Sequence, residues 1–321
     1  VPLPLMLETL TVALPVFGFV AAGYGLGRTP LFDDAKAKGL TTYVFWFAIP
    51  LLLFRGGAAL AGGGLAHHGP AFEARALIAY FAASAAVYAA AGLANALVFG
   101  GKGAEPPLAA MTAGYGNSVM MGIPLAELFF GADGLAVATA IIACSAISYY
   151  GVTTLLIELR QGKSASIAGI ARETGLALVR TPVILAMAVG LAFGALGLET
   201  HPIAARFIDI GAAAAAPTAL FALGATLAGF RIAGDIAEAT TVATLKLAIN
   251  PLIAWTLAGP VLGLDRQTVA AVTMMAALPC AVNPFLLASR YEAYTRRASA
   301  AIVLSTAASV VTIAVAVALT R

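Results

Sequence analysis

Charge is scarce in this sequence. Lys, Arg, Asp and Glu make up 10% of its 321 residues, against about 25% in soluble domains. There is no basic run, and a net charge of +3 gives nucleic acid nothing to hold. Histidine occurs three times. His67, His68 and His201 fall in connecting stretches without ligand-spaced partners, so no metal site is expected. The nucleophile–base constellation that an enzyme needs is missing as well. Cys144 and Cys280 both lie inside apolar stretches, which excludes a disulfide framework. No cleavable leader is expected, because the first apolar stretch follows Glu8 rather than a basic segment and runs on to Gly27. No separate soluble domain is visible, which argues against a receptor with an output module.

Apolar residues are abundant. They make up 61% of the chain, and mean hydropathy is +0.95. A soluble globule of this size cannot hide so much apolar surface. In a bilayer the backbone must satisfy itself, so the choice is helices or a closed barrel. The apolar stretches run about 20 residues without strict alternation, which selects helices. Beside the many alanines stand 33 glycines. Small residues let membrane helices approach closely.

Ten spanning segments are expected: Leu5–Gly27, Lys38–Gly57, Arg75–Phe99, Pro107–Phe130, Gly134–Glu158, Gly175–Leu196, Ile203–Ala228, Ala237–Leu262, Val269–Ala288 and Ser299–Leu319. Only Gly56–Ala74 and Arg160–Glu173 resemble real loops. With the N-terminus outside, 12 basic residues fall on the inner side, among them Arg28, Lys36, Arg160, Arg290 and Arg297. Five fall outside, namely Arg55, Arg75, Arg206, Arg266 and Arg321. That bias places both termini outside.

The chain repeats itself. Pro15 and Pro50 lie 35 residues apart, as do Pro182 and Pro217, and the two pairs are offset by 167. At that offset Gly23 meets Gly190, Gly27 meets Gly194, Phe54 meets Phe221 and Gly57 meets Gly224. At 166, Asn117 meets Asn283. Five segments per copy is an odd number, so the second copy enters from the opposite side. The expectation is an all-α membrane protein with ten transmembrane helices in two inverted five-helix repeats, residues 1–160 and 161–321.

Two segments carry interruptions. The fourth reads Gly114-Tyr115-Gly116-Asn117-Ser118, then Gly122-Ile123-Pro124; the ninth reads Pro279-Cys280-Ala281-Val282-Asn283-Pro284. Proline removes a helix hydrogen bond and clashes with the preceding turn. At membrane depth such breaks survive where protein buries them or where they line a cavity. Matching breaks in two repeats mark a transporter's midplane site. Helix breaks are therefore expected at Gly116, Pro124, Pro279 and Pro284. Loose main-chain amides at half-helix N-termini attract an anion there, with Tyr115, Asn117, Ser118, Cys280 and Asn283 as solute-binding residues. A simple kink with a satisfied Asn is the competing reading.

Lys246 lies three turns into the eighth segment. An intramembrane cation points to function. It either offsets half-helix carbonyl ends or faces an anionic solute; the alternative is snorkelling to the surface. Glu127, one turn beyond Pro124, either titrates in proton coupling or reaches water. Asp209 is expected to pair with Arg206, three residues earlier.

The run Phe47-Ala48-Ile49-Pro50-Leu51-Leu52-Leu53-Phe54 resembles the second helix of the auxin efflux carrier family, which includes plant PIN-type exporters and bacterial malonate transporters. Gly116-Asn117-Ser118-Val119-Met120-Met121-Gly122-Ile123-Pro124-Leu125 is similar to its fourth-helix motif, Pro-Asn-Thr-x-x-Met-Gly-Ile-Pro-Leu in plant members. Ala277-Leu278-Pro279, Pro284-Phe285 and Tyr291 resemble its ninth-helix motif, and Lys246 with Pro251 its eighth. The resemblance implies crossed broken helices 4 and 9, a scaffold of helices 1, 2, 6 and 7, a transport domain of helices 3–5 and 8–10, and elevator-type alternating access. It also implies a small carboxylate as substrate, flanked by Asn117 and the stretch around Pro279. Gly116 stands where plant members have proline, and Asn283 where they have an apolar residue. No cofactor is expected, proton coupling is expected before sodium, and a homodimer would form through the scaffold in a cell membrane. A sodium-coupled bile-acid-type symporter of the same architecture is the alternative.

Overall fold

The computed structural model describes residues 3–59, 61, 70–161, 169, 172, 181–230 and 236–320. His67, His68 and most of Arg160–Glu173 lie outside the described residues. Among the described residues every extended element is helical, and one isolated β-bridge stands apart.

The helices are α1 Leu3–Gly27, α2 Asp34–Ala59, α3 Pro70–Leu97, α4 Glu105–Gly114, α5 Ser118–Gly131 and α6 Asp133–Arg160. They continue as α7 Pro182–Ala195, α8 Pro202–Ala228 and α9 Ile236–Val261, α10 Arg266–Ala276, α11 Asn283–Arg290 and α12 Thr295–Thr320. Among the described residues six helices, α2, α3, α6, α8, α9 and α12, are long and apolar enough to cross a membrane. Asp33 starts α2 by accepting a hydrogen bond from the Lys36 amide. Gly131 separates α5 from α6 with φ 61°, a conformation glycine adopts without strain.

Three internal prolines lie in continuous helices, each behind a π turn. Val44–Ala48, Ser118–Gly122 and Leu245–Ile249 are π-helical, and each stops two residues before a proline: Pro50, Pro124 and Pro251. In each, the residue before the proline donates its amide five residues back: Ile49 to Val44, Ile123 to Ser118, Asn250 to Leu245. The wider turn relieves the clash between the proline ring and the carbonyl four residues earlier.

Between helices lipid tails compete with side chains on equal terms, so close approach decides the packing. α1 lies along Ala215–Ala228 of α8, and Ile49–Ala59 of α2 lies along α7. A Cβ on Gly23 would stand 2.0 Å from the Phe221 carbonyl oxygen, and one on Gly190 would stand 2.3 Å from that of Phe54. Gly224 meets Val20 and Tyr24, while Gly57 meets Met187 and Leu191; Gly27 meets Ala225, while Gly194 meets Ala58. These glycine contacts in one helix pair recur in the other at an offset of 167 with the partners exchanged.

The remaining helices build around these pairs. α3 packs on α4, α9 on α12, and α10 on α3, α5 and α12. At one end Arg297 sits 3.2 Å from Glu238 and 3.6 Å from Glu105, and Asn95 Nδ2 donates to Glu238 at 2.7 Å. That network ties α3, α4, α9 and α12 together.

Candidate functional site

Two helices stop inside the protein and restart. α4 ends at Gly114 and α5 begins at Ser118; α10 ends at Ala276 and α11 begins at Asn283. The two linkers run antiparallel past one another. Gly116 and Cys280 form the β-bridge. The Asn117 amide donates to the Pro279 carbonyl, and the Ala281 amide to that of Tyr115, both at 2.9 Å. At this depth an unpaired backbone group costs several kcal/mol. The two interruptions therefore satisfy each other at the Asn117 and Ala281 amides. Gly116 and Pro279 sit within the interruptions. Pro124 and Pro284 do not. Pro124 lies in α5 beyond its π turn, and Pro284 opens α11, where a missing N–H is harmless.

A Cβ on Gly116 would lie 3.1 Å from Lys246 Nζ, so one face of the crossing is set by that lysine. Lys246 is fully buried, and its ammonium has no hydrogen-bond partner. It does not snorkel. On this side Cys280, also fully buried, gives its amide to Ser305 Oγ at 3.1 Å. That holds Cys280 in the packed interior rather than at an open surface. Asn250 Nδ2 donates to the Ala276 carbonyl at 3.0 Å and so caps the end of α10.

Side chains alternate along an extended linker, and Tyr115 is extended. Tyr115 and Asn117 therefore point away from the lysine face that Gly116 fronts. Asn117 is 6% exposed, and its Nδ2 has no partner. Ser118 Oγ donates back to the Gly116 carbonyl at 3.3 Å. Tyr115 stacks on Tyr149 at 4.8 Å and 12° and meets Tyr150 edge-on at 6.2 Å. Asn283 Nδ2 donates to the Tyr115 hydroxyl at 3.5 Å. The N-termini of α5 and α11, which carry partial positive charge, flank this cluster. The fold thus brings together Tyr115, Asn117, Ser118 and Asn283.

Glu127 is elsewhere. It forms an ion pair with Arg55 of α2, and Arg55 also lies 3.6 Å from Asp209 of α8. The expected Arg206–Asp209 pair is replaced by this three-helix cluster, because Arg55 reaches both carboxylates across the packed helices. Sequence reasoning missed Arg55, Asn250, Ser305 and the tyrosine pair. Arg55 was detectable as a lone charge in an apolar segment, and Asn250-Pro251 echoes Asn283-Pro284. Ser305 carried no signal. His201 accepts from the Ile203 amide at the start of α8, and no three His, Cys, Asp or Glu residues gather into a metal site among the described residues.

Known proteins resemble nearly the whole chain. A Rhizobium meliloti (strain 1021) protein named "Putative malonate transporter" is 28% identical over 312 residues, 96% of this chain and 94% of that protein. A Methanothermobacter thermautotrophicus protein named "Uncharacterized transporter" is 27% identical over 197 residues, 61% of this chain and 62% of that one. With the family model described as membrane transport protein matching residues 9–317, the chain belongs to that family, the auxin efflux carrier family, and is a multi-pass membrane transporter, not an enzyme.

Proposed function

We propose that this carrier moves a small organic anion, a carboxylate, across the cell membrane through the crossing of the two interrupted spans. One observation carries the reading. The crossing holds an unpartnered buried cation, Lys246, on one face and an unpartnered side-chain amide, Asn117, on the other. A carboxylate beside Asn117, Ser118 and Asn283 would take hydrogen bonds from side chains and from the α5 and α11 N-termini. Lys246 would balance its charge through the thin layer of linker.

The exchanged contacts at offset 167 support an inverted repeat. In that reading α4 with α5 forms one broken span and α10 with α11 another, which makes ten spans in all. The glycine-packed pairs α1–α8 and α2–α7 would form the scaffold, and α3–α6 with α9–α12 the moving unit. The elevator motion slides the second past the first. Apolar residues exposed on α2 and α8, such as Trp46, Phe207 and Ile210, suit either lipid or a scaffold-mediated homodimer. Both termini would lie outside.

A sodium-coupled symporter is the second reading. It expects acidic or amide ligands at the crossing; the amides of Asn117 and Asn283 are there, but the nearest charge is the Lys246 ammonium, and that favours sodium-independent transport. The test is uptake into proteoliposomes. Malonate, named for the Rhizobium relative, and a panel of mono- and dicarboxylates would be offered with and without sodium and with an imposed proton gradient. Carboxylate uptake that survives sodium removal supports the proposal. Uptake strictly dependent on sodium favours the symporter. A carrier that neither transports nor is thermally stabilised by any carboxylate ends both readings.

A further inference from the structure

Away from the tyrosine side of the crossing, a cleft of about 490 Å³ opens between α9, α10 and α12. Its rim is apolar and exposed: Leu252, Val311 and Leu319 are 58%, 65% and 62% accessible. A void against acyl chains has no partner atoms on one side and forfeits their dispersion contacts, so it stands filled. Its dimensions say by what. The α9 wall runs from Leu247 to Trp255 and the α12 wall from Val311 to Thr320. At 1.5 Å per residue these are about 12 and 14 Å long, close to half of a hydrocarbon core of about 30 Å. The inner end lies at Leu247, next to Lys246 and thus level with the crossing. The outer end lies at Thr320, whose carbonyl accepts from Arg266 Nε at 3.4 Å. Arg266 makes no ion pair among the described residues. Its remaining guanidinium N–H groups form a planar fork suited to a phosphate.

We propose that this cleft is a phospholipid site: one acyl chain lies between α9 and α12 across a single leaflet, and its headgroup phosphate rests on Arg266. Because α9 also delivers Lys246 and Asn250 to the crossing, the lipid would brace the helix that sets the lysine face. This site stands independently of the transport reading.

The test is native mass spectrometry of protein extracted from vesicles of phosphatidylglycerol and phosphatidylcholine in equal amounts. The wild type is expected to retain one phospholipid, phosphatidylglycerol over phosphatidylcholine by about fivefold, the factor that about 1 kcal/mol per basic residue at an anionic surface supplies. Arg266→Gln should erase that preference while a lipid is still retained. Ala248→Trp, an exposed position on the cleft wall, should displace the lipid, with a cooperative thermal melt confirming that the variant is folded. Ala316→Trp provides the same test from the α12 wall. No retained phospholipid in the wild type, retention unchanged in both folded tryptophan variants, or an unchanged preference in Arg266→Gln would each overturn the assignment. So would a small non-lipid mass, which the two unpartnered hydroxyls of Thr273 and Thr312 at the cleft wall would suit.

Discussion

Lys246 is the residue whose behaviour should separate stability from function. A buried charge without a partner costs several kcal/mol even after relaxation, and nothing within hydrogen-bond reach of its ammonium offsets that. Lys246→Met keeps the length and removes the charge. It is expected to raise the melting temperature and to lower carboxylate uptake at least tenfold. If melting temperature and uptake both fall, the lysine is a structural group and its proposed electrostatic role fails. Asn117 gives the complementary case. Its Nδ2 makes no hydrogen bond, so Asn117→Ala removes none from that atom and should leave the melting temperature nearly unchanged, while uptake falls about tenfold for a lost charge-assisted bond. Wild-type uptake in Asn117→Ala would remove the residue from the site. Both positions were legible in the sequence as polar residues in apolar runs. The buried, partnerless state of Lys246 was not, because snorkelling depends on what the neighbouring helices leave open. Nor was the direction of Cys280, which follows from its bridge to Gly116.

At the scale of the helix, small residues rather than prolines carry most of the geometry. The prolines at 50, 124 and 251 leave their helices continuous, because a π turn in front of each absorbs the clash. Sequence reading sees the missing N–H but not the compensating turn, so Pro124 looked like a break. Glycine spacing was the better guide. The offset of 167 that Gly23, Gly27 and Gly57 share with Gly190, Gly194 and Gly224 corresponds to close approaches in both helix pairs. The expected consequence is matched sensitivity. Gly23→Ala and Gly190→Ala push a methyl into a facing backbone oxygen at 2.0 and 2.3 Å. Each should lower the melting temperature by several degrees, by similar amounts. Gly18→Ala meets nothing within 4 Å and should be neutral or slightly stabilising, since alanine is the better helix former by about 1 kcal/mol. Thermal melts in detergent compare the three. A benign Gly190→Ala beside a damaging Gly23→Ala would show that the two pairs are not equivalent and weaken the repeat.

For the whole molecule the question is whether the glycine-packed pairs and the rest move as separate bodies. The Arg55 cluster spans the proposed boundary: Arg55 and Asp209 belong to the α2–α7 and α1–α8 pairs, and Glu127 belongs to the part that would slide. Arg55 and Glu127 are 37% and 31% exposed, and ion pairs open to water contribute about 0–1 kcal/mol. A link of that strength can hold one state and still break in every cycle, as a carrier requires. The family resemblance implies that boundary, but the charge cluster across it is not legible in the sequence, because the three charges lie in three segments and Asp209 has a nearer candidate in Arg206. A covalent version of the link distinguishes the cases. In a background with Cys144→Ser and Cys280→Ala, Arg55→Cys with Glu127→Cys, joined by a short thiol-cleavable bifunctional reagent, is expected to stop uptake, and reductant should restore it. Arg55→Cys with Asp209→Cys, joined the same way, lies within one body and should leave uptake intact. Transport through the first cross-link would mean that α2 and α5 keep their places during the cycle, and the carrier would then have to open by local gating at the crossing rather than by sliding one body past the other.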